Sequence, residues 1–142
     1  MRKSGLAQGT WVLVADGEKA LFLVNEGDAE DMNLVVRKKE EQENPQAQEW
    51  ASHSSAVQDT DWHVLEKERF AKDLSDMLYA QAHKGAFDKL VIIASRVVLS
   101  NLRKDLHKEV QDKIIHEIPK VLTNHPLPEV EEILSKELAE AD

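Results

Sequence analysis

Lys89-Leu-Val-Ile-Ile-Ala94 is the stretch on which the reading of the fold turns. Its apolar residues run without alternation, the pattern of a strand covered on both faces because helices pack on each side of its sheet. Upstream, Asp61 to Lys84 carries Leu65, Phe70, Leu74, Met77, Leu78 and Ala82 at helical spacing, with Asp61 or Thr60 as cap. Gly85 is placed to end that helix in a left-handed cap. Downstream, Arg96 to Leu106 reads as a helix capped by Ser95, with Val98, Leu99, Leu102 and Leu106 as its apolar stripe. A short turn within His107 to Lys113, a strand Ile114 to Ile118 closed by Pro119, and a helix Pro126 to Leu138 with Thr123 or Asn124 as cap complete the chain.

Ahead of all helical periodicity stand three strand-like runs, Trp11 to Asp16, Ala20 to Asn25 and Asn33 to Glu40. Both alternating sets of the first are apolar up to Asp16, which marks a central strand, and Asp16-Gly17 turns the chain into a hairpin. The third run begins Leu34-Val-Val and ends in Arg37, Lys38, Lys39, Glu40 and Glu41, as an edge strand does when it avoids pairing with other chains. The opposite edge falls to Ile114–Ile118. This serial order predicts an α/β fold of ribonuclease H-like type: a three-stranded meander followed by βαβ units, forming a mixed five-stranded sheet with helices packed on it. Residues 1–142 then make one domain, interrupted by a polar loop at about 42–60 whose one large apolar group is Trp50. Loops of that length are where a site is sought first.

The sequence has no cysteine, so disulfides and thiolate metal sites are excluded. Two basic residues near the N-terminus are not followed by the apolar run of a secretory signal, and no stretch approaches a bilayer span. The expected location is cytoplasmic. A net charge of −9, from 27 acidic and 18 basic side chains, repels phosphate backbones unless the cations gather on one face. The Arg37-Lys38-Lys39 patch, followed at once by glutamates, reads as a solvated strand end. With both sheet edges blunted, a monomer is expected.

Asp16 is the first candidate for chemistry, because an aspartate on the first strand is where a two-metal nuclease site would be anchored. Such a site needs converging carboxylates, and the fourth strand ends in Ala94-Ser95. Asp16 therefore reads as a turn residue that accepts backbone hydrogen bonds. None of the six histidines falls at a metal-ligand spacing, Ser54, Ser55, Asp59, Asp61 and His63 lack a nucleophile elbow, and the five glycines are isolated. No enzymatic activity, metal or cofactor is expected. Two polar clusters remain. Arg96, Arg103 and His107 can form an anion-binding stripe, or a solvated face paired with Asp105 and Glu109. Asn124-His125-Pro126 can bind a ligand or simply cap the last helix. Asp16, Trp50, Arg96, Arg103, His107 and His125 are thus the candidate interaction residues.

Trp11-Val-Leu-Val-Ala-Asp-Gly17 with Ala20-Leu-Phe22, Glu66-Lys-Glu-Arg-Phe-Ala71, Gly85 to Ala94, and Leu102 to Val110 through Leu122-Thr-Asn-His-Pro126 together resemble the bacterial host attachment protein family. The resemblance covers nearly the whole chain. It implies an α/β domain related to the middle domain of archaeo-eukaryotic peptide-chain release factors, and a role in attachment of bacteria to host cells. The Gly-Gly-Gln tripeptide with which release factors hydrolyse peptidyl-tRNA does not occur in the sequence. The expectation is a non-enzymatic interaction domain that supports attachment indirectly through a protein or ribonucleoprotein partner. The alternative is a ribosome- or RNA-associated factor.

Overall fold

The computed structural model describes residues 6–28, 30–41 and 59–141. Trp50 and the 42–58 part of the expected polar loop lie outside these residues. The chain forms β1 (Trp11–Ala15), β2 (Lys19–Asn25), β3 (Leu34–Glu41), α1 (Asp59–His83), β4 (Leu90–Ala94), α2 (Arg96–Asp105), α3 (Lys108–Gln111), β5 (Ile114–Ile118) and α4 (Leu127–Ala141). The sheet is mixed and five-stranded in the order β3-β2-β1-β4-β5, so the charged run and the Pro119-terminated run do occupy its edges. β1, β2 and β3 pair antiparallel in succession, and β1, β4 and β5 run parallel.

Alternation along β1 and β4 feeds two separate cores. Leu13, Ala15, Ile92 and Ala94 face a layer made by α1, α2 and α3, where Phe70, Leu74, Leu78, Leu99, Leu102 and Val110 are buried. Val12, Val14, Val91 and Ile93 face α4 and meet Val130, Leu134 and Leu138. A strand serving both layers has no polar side, which is why KLVIIA carries no alternation. Each buried Leu, Ile, Val or Phe side chain among these is worth about 1.5–3 kcal/mol over an exposed one.

Local signals fix several ends. Ser95 caps α2, its hydroxyl accepting from Val98 N–H at 3.3 Å. Gly85, at φ 76°, ends α1, and Ala86 N–H closes back on the Gln81 carbonyl at 2.9 Å. Two expectations fail. α1 starts at Asp59, which places Thr60 and Asp61 inside the helix rather than at its cap. α4 starts at Leu127, and the Thr123 and Asn124 side chains are engaged with the β1–β2 turn instead of capping it.

Candidate functional site

The carboxyl ends of β1, β4 and β5 lie side by side, the place where open α/β sheets bind ligands because loops fan out beyond the strands. Asp16 stands there, directly after β1. Its Oδ1 accepts from the backbone N–H groups of Glu18 at 2.7 Å and Lys19 at 2.8 Å, and its Oδ2 accepts the buried Thr123 hydroxyl at 2.6 Å. The Asp16 N–H itself closes the hairpin on the Lys19 carbonyl at 2.9 Å. Partial burial pushes the Asp16 carboxyl up, while the Thr123 hydroxyl, the two backbone donors and the Lys19 charge pull it down and prevail, so the group stays below its ordinary value of 3.8. Lys19 Nζ donates to Asn124 Oδ1, a second tie between this hairpin and the segment before α4.

Beside this junction an open groove of about 360 Å³ is lined by Arg96, Leu99, Arg103, Glu117 and Pro119. Arg96 and Arg103, seven residues apart on α2, share its wall as the helical period requires. Arg103 grips Glu117 on β5 with Nε at 3.0 Å and with Nη2. Arg96 is exposed and has no ion-pair partner among the described residues.

The third member of the expected stripe goes elsewhere. α2 ends at Asp105, the chain turns, and the His107 ring stacks on Tyr79 of α1 with centroids 4.0 Å apart. The expected pairing with Asp105 and Glu109 also differs: Arg103 takes Glu117, and Glu109 lies 3.7 Å from His83. His125 sits at the entry to α4 with Nδ1 3.0 Å from Glu129 Oε1. The structure therefore brings Asp16, Arg96, Arg103 and His125 to one end of the sheet region and separates His107 from them.

What this arrangement can do chemically follows from its free valences. Asp16 accepts two backbone donors on Oδ1 and the Thr123 hydroxyl on Oδ2, and so ties the β1–β2 turn to the segment before α4. No group of three His, Asp or Glu side chains suited to a metal ion occurs among the described residues. What remains open is cationic, Arg96 at the mouth of a groove. Thr123 was missed as a site residue because its partner lies 107 positions away, and Glu117 because its own strand gave no reason to single it out. The general rule that strand carboxyl ends face ligands would have pointed to both.

A mixed five-stranded α/β sheet with its polar residues gathered at the ends of the parallel strands defines the class of this protein. Residues 9–134 match the family described as bacterial archaeo-eukaryotic release factor family 12, and the chain belongs to that family. No curated protein matches the chain. Among the described residues no helix is long and apolar enough to cross a membrane.

Proposed function

We propose that this chain is a non-enzymatic, cytoplasmic binding domain of the translation apparatus, a release-factor-related module that contacts the ribosome or ribosome-bound RNA through the end of the sheet formed by β1, β4 and β5. The observation that carries the reading is Arg96, a cation without a partner among the described residues, at the mouth of the groove it shares with Arg103. The family relation gives that cation a context in which phosphates are abundant. The sequence has no Gly-Gly-Gln, and Asp16, the one carboxylate at the centre of the junction, is held by three donors. Both features favour binding over hydrolysis.

The test is co-sedimentation with ribosomes. The protein should pellet with ribosomes at about 50 mM salt, dissociate by about 500 mM, and lose most of the association as Arg96→Glu. A protein that stays in the supernatant at low salt refutes the reading. A second reading, attachment to host cells through a cytoplasmic protein partner and with the chain as a monomer, is favoured by the net charge of −9, which suits a basic protein surface better than bare RNA. Crosslinking in cells followed by identification of the joined proteins separates the two, since the first demands ribosomal components.

A further inference from the structure

A second groove, of about 450 Å³, opens on the α1 face of the sheet at the opposite end of β1 from Asp16. Its floor is aromatic. Trp11 is only half-buried, with its ring centroid 5.0 Å from Phe87 and 6.3 Å from Phe22. One wall comes from α1, where Met77, Ala80 and Gln81 share a helical face. The other comes from β3 and carries Arg37 and Lys38.

The presence of both cations has a definite cause. Consecutive strand residues point to opposite faces of a sheet, so a regular β3 would send one of the pair away. The β2–β3 register instead shifts: Phe22 pairs with Lys38 and Leu23 with Val36, which leaves Arg37 as the extra residue of a β-bulge. Bulges re-aim side chains, and this one delivers two adjacent positive charges to one groove. Lys38 is shared with Glu40 at 3.1 Å, whereas Arg37 has no ion-pair partner among the described residues.

We propose that this groove binds one nucleotide unit, its base against Trp11 and Met77, its base edge within reach of the Gln81 amide, and its phosphate on Arg37 and Lys38. The volume falls within the range of about 300–1,000 Å³ typical of small-ligand sites. A simple anion would use the rim and leave the aromatic floor idle; an apolar ligand would use the floor and leave the two cations idle. A flat ring joined through a sugar to a phosphate uses both halves, by stacking and by charge. The inference rests on the groove alone and does not require the ribosome reading. A free mononucleotide and a nucleotide within single-stranded RNA present the same chemistry.

Titration calorimetry with adenosine monophosphate, adenosine, inorganic phosphate and a hexa-adenylate RNA tests it on the intact chain. Saturable binding of the monophosphate or the RNA is expected, about tenfold or more tighter than adenosine or phosphate alone, because stacking and charge act together. Preference for the monophosphate assigns a free nucleotide, and preference for the RNA assigns a strand; either supports the proposal. Arg37→Ala and Arg37→Gln, both at an exposed position, should each weaken binding about tenfold, while Lys136→Ala on α4 leaves it unchanged. The Trp11 indole resonance, identified by its loss in Trp11→Phe, should shift on binding. Absence of saturable binding by either phosphate-bearing nucleotide probe, or affinity unaltered in both Arg37 variants, overturns the proposal. Ribosome co-sedimentation of Arg37→Ala, run in parallel, should match wild type and so keeps this outcome separate from that of the Arg96 test.

Discussion

The link between Asp16 and Thr123 joins the first hairpin to the segment that launches α4, and its strength can be measured with a double-mutant cycle. Asp16→Ala removes an acceptor from three donors, at 2.7, 2.8 and 2.6 Å. Bonds to a charged group are worth about 1.5–3 kcal/mol each when buried, but the two backbone donors lie in an exposed turn that water can reach, so a total of about 2–3 kcal/mol is expected. Thr123→Val keeps the shape of a buried side chain and deletes its hydroxyl, for about 1 kcal/mol. The double variant should then cost about 1 kcal/mol less than the two singles combined, since one bond cannot be lost twice. Chemical denaturation of the four proteins gives the coupling directly. The same carboxylate adds a pH signature. Its folded value is depressed, so its contribution is fully present above 3.8 and is lost as pH falls through the lower folded value. Asp16→Asn should keep most of the turn, cost about 1 kcal/mol at neutral pH, and lack that part of the acid-induced loss. Strict additivity in the cycle, or an acid limb identical to wild type in Asp16→Asn, would show that the bond contributes nothing.

Two further outcomes follow from buried groups. Asn25, fully buried, donates to the Leu6 carbonyl at 2.7 Å and accepts from the Gly27 and Asn33 N–H groups at 3.0 and 2.9 Å. Asn25→Leu should cost about 3 kcal/mol or more by stranding those partners, lowering the thermal midpoint by roughly 10 °C in a calorimetric scan. Leu74→Ala, in the α1 layer of the core, should cost about 3 kcal/mol through lost burial and the cavity left behind, with an unchanged denaturant slope.

Legibility in the sequence followed the range over which each interaction acts. The uninterrupted apolar runs at Val12–Ala15 and Leu90–Ala94 announced two strands covered on both faces, because burial on both sides is written into every residue of such a strand. Ser95 and Gly85 announced helix ends because a cap needs only its next few neighbours. The start of α1 is misplaced by two residues, and the differences at the site are non-local. Thr123 has the chemistry of a cap, and only the folded chain reveals that its hydroxyl is taken by Asp16. Helical period places Arg96 and Arg103 on one face and the helix end before His107 is legible, but nothing local shows that the chain then turns the His107 ring onto Tyr79. Arg37-Lys38-Lys39 reads as a solvated strand end from the glutamates beside it, and all three residues are exposed; the bulge that leaves Arg37 without a pairing partner depends on β2 and is not written locally.

The pairing of Trp11 with Leu90 has a consequence for the order in which the protein is made. β1, β2 and β3 are neighbours in sequence and can zip together as soon as they leave the ribosome, whereas β4 is synthesised only after all of α1. Throughout that interval β1 is an edge strand. It presents a row of open backbone groups flanked by Val12, Leu13, Val14 and Ala15, with none of the charges that blunt the finished sheet's true edge at β3. The half-made chain thus carries a sticky seam that the complete one lacks, and its yield in cells will depend on how quickly elongation supplies the partner strand or a chaperone shields the gap.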